Sequence, residues 1–162
     1  IACHSGPLLS NEAYYNIGVP PYAGWEDDEI AQITFRFELY AKGSTEEMYR
    51  TTKDDPGLYF RTKQKVDKGK FRVPSLRYTA YTFPYMHNGM LETLEDVVDF
   101  YDQGGGENEF AANKSELIQP LGLTAEEKAD LVAFLGSLSG DEILPEPPEL
   151  PSMQPLPAVA QN

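Results

Sequence analysis

Two stretches of this chain carry a full helix signature, start and stop included, and glycine and proline break up most of what lies between and around them. The first, Thr93 to Tyr101, reads TLEDVVDFY. Thr93 can cap it, Asp96 stands third after the cap, and Gly104 to Gly106 stop it. Its Leu94, Val97, Val98 and Tyr101 fall at i, i+3, i+4 and i+7, so Tyr101 is expected to face inward with the apolar side. The second, Thr124 to Leu138, opens on the capping box Thr124-Ala125-Glu126-Glu127 and ends at Gly140. It presents Leu131, Phe134, Leu135 and Leu138 on one side and reads as a packing helix.

The other segments are less regular. Ile1 to Trp25 reads as loops with a short helical turn near Cys3. Asp27 to Tyr40 (DDEIAQITFRFELY) mixes β-branched, aromatic and charged residues, so period does not separate helix from strand, although helix is favoured. Thr45 to Lys70 reads as an irregular surface segment, broken at Pro56-Gly57 and at Lys68-Gly69-Lys70. Six of the 13 prolines lie between Pro145 and Pro157, which predicts an extended tail over 141–162 behind a single domain of residues 1–140.

A formal charge of −13, from 13 basic and 26 acidic residues, argues against a nucleic-acid partner, because phosphate binding needs a basic face. It fits a solvated acidic surface, or one that steers a basic partner protein such as a small cytochrome. No stretch approaches the ~20 continuous apolar residues of a membrane span. The first residues have neither a charged n-region nor an apolar h-region. With Cys3 as the one cysteine there is no internal disulfide, so cysteine pairing says nothing about compartment.

Cys3-His4 is half of a chemical motif. Attachment of c-type haem uses Cys-x-x-Cys-His, in which two thiols bond the vinyl groups and the histidine ligates iron. Here the chain supplies x-x-Cys-His, and the first cysteine is expected just before Ile1. The candidates for the opposite iron ligand are Met48, Met86, Met90, His87 and Tyr101.

Cys3-His4-Ser5-Gly6-Pro7-Leu8 is followed by Asn16-Ile17-Gly18-Val19-Pro20, Gly69-Lys70-Phe71-Arg72-Val73-Pro74-Ser75-Leu76-Arg77 and Thr82-Phe83-Pro84-Tyr85-Met86-His87-Asn88-Gly89. Thr93 to Val98, Tyr101 and Leu123 to Glu127 complete the order. In this succession, from Cys3 to about Gly140, the chain resembles the C-terminal haem domain of the bacterial di-haem cytochrome c peroxidase and MauG superfamily. The resemblance implies a mainly α, cytochrome c-like haem domain with long irregular loops, ahead of the Pro-rich tail. A companion N-terminal domain carries a second haem in that family, and this chain shows no second Cys-His pair.

Other roles are implied by the same resemblance. Cys3 would form the haem thioether and His4 would be the proximal ligand. The distal position matches Tyr101, where cytochrome c peroxidases place methionine and MauG-like enzymes tyrosine. His87 would lie near the haem propionates or the domain interface, although a structural histidine fits equally. Thr82 and Pro84 match positions whose backbone carbonyls bind calcium. Met86 and Trp25 read as packing residues, and Tyr78, Tyr81 and Tyr85 as a guard against stray oxidation.

The implied function is a periplasmic oxidoreductase. Hydrogen peroxide would react at the companion haem, and electrons or oxidising equivalents would pass through haem c in this domain, to or from a small redox donor or a protein substrate. Two alternatives remain at this point: a stand-alone electron-transfer module without peroxidase activity, and a scaffold that has lost its haem.

Overall fold

Asp28 starts the first helix, α1 (Glu29–Ala41), by accepting the Ala31 amide hydrogen on its carboxylate at 2.8 Å. The ambiguous period of this stretch has a visible cause. Leu39 is fully buried, whereas Ile30, Ile33, Phe37 and Tyr40 point outward, so apolar residues occupy two sides of one helix. The computed structural model describes residues 2–21 and 23–141, so the expected proline-rich tail, Asp141 apart, lies outside the described residues.

Thr45 caps a short helix, α2 (Glu46–Thr51), which packs on α1 and buries Met48. A single turn, α3 (Tyr59–Thr62), and a 3-10 turn at Lys65–Asp67 follow. Thr45 to Lys70 therefore departs in part from the irregular surface segment its composition predicts, since it carries these short helical turns. Thr52, Asp54 and Pro56 are buried in it, and it is docked by backbone: the Leu58 amide donates to the Lys70 carbonyl at 2.9 Å, and the Gly69 amide to Pro56 at 3.0 Å. Gly57 makes the approach possible, because a Cβ there would meet the Lys70 carbonyl oxygen at 2.3 Å.

The start of the chain also differs from expectation. No helical turn forms at Cys3; Gly6 and Leu9 adopt left-handed conformations (φ 71° and 50°) and close a hydrogen-bonded turn instead. Beyond it, β1 (Tyr14–Tyr15) pairs antiparallel with β2 (Phe71–Arg72), with Tyr14 opposite Arg72.

Both capped helices form where the sequence places them. In α4 (Leu94–Asp102) and α5 (Ala125–Ser137), Thr93 and Thr124 cap and Asp96 and Glu127 return the capping box. The two pack together, with the Lys128 ammonium between Asp99 (2.9 Å) and Asp102 (2.7 Å). On α4 the deepest side chains are Val98 and Phe100, while Leu94, Val97 and Tyr101 are half-buried. On α5 the expected side divides. Leu135 and Leu138 are half-buried together with Val132, but Leu131 and Phe134 are exposed, because the inward face is turned towards α4. The described residues thus form five α-helices and one two-stranded sheet, and none of those helices is long and apolar enough to cross a membrane.

Candidate haem site

Carbonyls are the handles by which the Cys3-His4 turn is held. The Asn11 amide donates to the Cys3 carbonyl at 2.8 Å, and the Asn11 side chain donates to Ala2 at 3.0 Å. From far along the chain, Ser75 donates to the Leu8 carbonyl at 2.7 Å. The Arg77 guanidinium grips the Pro7 carbonyl with Nε at 3.1 Å and Nη2 at 2.7 Å. The Val-Pro-Ser-Leu-Arg run therefore acts as a strap over the turn. Sequence reasoning quoted Ser75 and Arg77 but gave them no role.

That turn fixes the tautomer of His4. Its Nδ1 lies 3.0 Å from the Leu9 carbonyl oxygen, and a carbonyl only accepts, so Nδ1 carries the proton. In the neutral ring the lone pair is then on Nε2, the arrangement a metal-ligating imidazole needs, with the second ring nitrogen oriented by a backbone carbonyl.

Tyr101 arrives at the same place through the packing of the loop after α4. Asn16, 1% exposed, accepts the Gly18 amide at 2.8 Å, donates to the Phe110 carbonyl at 3.0 Å and pairs with Asn108. Gly18 lies so close to Gly106 that a Cβ would fall 1.9 Å from its carbonyl oxygen. These contacts join the end of α4 to the chain's first strand. The Tyr101 phenol is pushed above its usual pKa, first by burial and then by the negative charge a Cys3 thiolate carries, so the two groups lie within electrostatic reach. Phe100 braces the ring edge-on, centroids 5.8 Å apart.

Tyr101 thus lies within electrostatic reach of Cys3, the residue before His4. Leu94, Val97 and Tyr101, at i, i+3 and i+7, make one half-buried side of α4. An imidazole with a free Nε2, a thiol, a phenol and this apolar side form a donor set that fits a c-type haem.

Other candidates keep different company. His87 stacks on Phe71 (centroids 3.7 Å, planes 12° apart); although the residue is exposed overall, burial of its packed ring lowers its pKa, with Asp55 opposing. It lines a cleft of about 360 Å³ with Trp25, Phe35 and Asp54. Trp25 is buried and packs edge-on to Phe35 at 5.3 Å, as a core residue does. Met48 sits in the α2 core, and Met86 and Met90 are half-buried. Thr82 and Pro84 are exposed, and neither carbonyl accepts a hydrogen bond from a described residue. Tyr81 and Tyr85 donate to the carbonyls of Gly140 (3.3 Å) and Thr79 (2.9 Å), and Tyr78 packs beside Gly140.

No family model matches the chain. It is 52% identical over 160 residues to cytochrome-c peroxidase IdrP1 of Pseudomonas sp. (strain SCT), covering 98% of this chain and 41% of that protein. It is 40% identical over 81 residues to methylamine utilization protein MauG of Methylorubrum extorquens, covering 50% of this chain and 22% of that protein. A solved MauG-like protein associated with microbial copper homeostasis superposes with a TM-score of 0.61 at 32% identity, covering 86% of this chain and 42% of that one. The chain therefore spans about two fifths of the length of the first of these relatives and of the solved structure. With these likenesses and this donor set, the chain belongs to the bacterial di-haem cytochrome c peroxidase and MauG superfamily, a group of haem c proteins.

Proposed function

We propose that residues 1–140 are the cytochrome c-like haem domain of a di-haem peroxidase or MauG-like oxidase, with Cys3 as haem thioether, His4 as proximal ligand and Tyr101 as distal ligand. Hydrogen peroxide would react at a companion haem in an N-terminal domain or chain, and electrons or oxidising equivalents would pass through the haem held here. The observation that carries this reading is the orientation of His4 by the Leu9 carbonyl at 3.0 Å, on a turn whose Cys3 lies within electrostatic reach of Tyr101.

When bound, the haem supplies one-electron redox chemistry. The rest falls to the chain's own side chains. The hydrogen bond from His4 Nδ1 to Leu9 orients the ring and leaves Nε2 as the nitrogen that would meet the iron. Tyr101 ligates through its oxygen only after losing its proton, and burial favours the protonated phenol. Ligation is thus coupled to release of that proton. A Tyr101 phenolate in place of methionine would favour ferric and higher-valent iron, which would lower the potential and suit the MauG-like branch. If His4 and Tyr101 both hold the iron, this chain would leave no free position for peroxide, which would then react at the companion haem.

The exposed carbonyls of Thr82 and Pro84 suit a hard cation, which makes them this reading's calcium ligands. Covalent haem attachment places the protein in the periplasm, and the charge of −13 steers a basic redox donor or protein substrate. Tyr101→Met in the haem-loaded chain is expected to raise the reduction potential by on the order of 100 mV, within the ~0.8 V that axial ligands command. An unchanged spectrum and potential would remove Tyr101 from the iron. An intact mass equal to the bare polypeptide would remove the covalent haem altogether.

A further inference from the structure

Leu9, in the turn that carries Cys3 and His4, has a left-handed backbone (φ 50°), which a residue with a Cβ enters only at a cost. Gly6, in the same turn, enters that region freely. Strain of this kind persists where the surroundings over-determine it, and it gathers at functional sites. Here it sits on the residue whose carbonyl meets His4 Nδ1 at 3.0 Å.

The bonds that over-determine Leu9 come from both sides of it. Before it, the Pro7 carbonyl is gripped by Arg77 and the Leu8 carbonyl accepts the Ser75 hydroxyl at 2.7 Å. After it, the Ser10 hydroxyl donates to the Val73 carbonyl at 2.7 Å. All three partners belong to the run from Val73 to Arg77, which is itself anchored. Val73 is buried, and its amide donates to the Ala13 carbonyl at 2.9 Å beside the β1–β2 pair. The Ser75 hydroxyl also accepts the Arg77 amide hydrogen at 3.1 Å, which leaves its own proton for Leu8. Ser75 and Arg77 thus hold the two peptides that lead into the strained residue, and the chain cannot relax Leu9 without breaking their bonds.

We propose that Ser75 and Arg77 are positioning residues for His4. By keeping Leu9 left-handed they aim its carbonyl at Nδ1, and through that hydrogen bond they tune the potential of the iron. The inference rests on His4 ligating the iron, as proposed above. The partner of the far nitrogen is a lever on a ligating imidazole: a firm Nδ1–H hydrogen bond makes the ring a better donor, which favours the ferric state. Loosening the bond therefore shifts the potential upward.

Redox titration of the full haem-loaded chain, with electron paramagnetic resonance of its ferric state, tests this. Ser75→Ala and Arg77→Ala each raise the reduction potential, and the double variant raises it further. Each also adds a second ferric signal, from rings no longer held in one orientation. Ser75→Thr keeps the hydroxyl and returns the parent's potential. Leu9 separates aiming from packing: Leu9→Val raises the potential more than Leu9→Gly, because a branched Cβ opposes the left-handed backbone and glycine adopts it freely. Lost packing predicts the reverse order, since valine keeps more of the side chain. Urea midpoints establish that each variant is folded. An unmoved potential in the double variant, a folded Ser75→Thr that fails to rescue, or a larger effect of Leu9→Gly than of Leu9→Val overturns the proposal and leaves the haem site standing. Electron–nuclear double resonance on the chain with 15N-labelled histidine reads the ligand itself. A histidine nitrogen coupled to the iron and retained in His87→Gln is His4; its absence removes His4 from the iron and overturns the proposed function together with this inference.

Discussion

The Cys3-His4 turn and α1 are both surface features, yet they are held in opposite ways. Polar side chains reach the turn from afar, Ser75 and Arg77 to its carbonyls and Asn16 to the loop that brings Tyr101. Its apolar neighbours on α4 remain half-covered. By contrast, α1 is anchored by Leu39 and by Phe35 against Trp25, and it displays Ile30, Ile33, Phe37 and Tyr40. Directional hydrogen bonds fix where donor atoms lie, as a ligand site requires. Non-directional apolar anchoring fixes only that a helix stays on the body.

The contrast breaks most visibly at the two anchors. Leu39→Ala removes a fully buried side chain and is expected to cost about 3 kcal/mol of stability, by lost transfer energy plus the cavity left behind. The Tyr101 phenol should still titrate above its usual value. Asn16→Ala leaves the Gly18 amide and the Phe110 carbonyl without their partner and is expected to cost about 2 kcal/mol. Here the Tyr101 titration should fall towards that of an ordinary phenol, because the loop that seats α4 is released. Urea unfolding together with absorbance titration of the tyrosines reads both quantities. Equal effects of the two substitutions on Tyr101 would abolish the distinction.

A smaller effect sharpens it. Arg77→Ala removes both hydrogen bonds to Pro7 at the surface, so global stability should change by about 1 kcal/mol or less. Amide exchange at Leu9, Ser10 and Asn11 should nevertheless accelerate, because these residues close the turn under the strap. Unchanged exchange there would mean that the strap is ornamental.

The sequence made some of this legible for reasons that also mark its limits. Thr93 and Thr124 announce α4 and α5 because a capping box is local, and Tyr101 is readable because one apolar stripe carries it. Phe100 lies off that stripe and is buried by the loop after α4, which local period does not see. The two-residue strands β1 and β2 are too short to alternate, and their pairing is long-range. The helix α1 gave a blurred period because its outward side is apolar as well. The Leu9 carbonyl that orients His4 has no side-chain signal at all; only the fold of the turn reveals it.

Asp54 joins the stretch between α2 and α3 to the loop after α4, and its titration gives the finest test. It lies between α2 and α3, 6% exposed, and its carboxylate accepts the Glu109 amide hydrogen at 2.8 Å from the loop after α4. Burial raises its pKa above the ordinary carboxylate value, as does the Glu109 carboxylate, while the amide hydrogen bond and Lys53 oppose. A group whose folded pKa is raised stabilises fully below the unfolded value, and that contribution is lost as pH rises through the folded one. Asp54→Asn keeps an acceptor for the Glu109 amide and carries no charge. Its stability relative to the parent should therefore increase as pH climbs from about 3.5 to 6, by about 1 kcal/mol or less. Urea midpoints at a series of pH values measure this, and parallel curves for parent and variant would show that Asp54 makes this joint without strain from its charge.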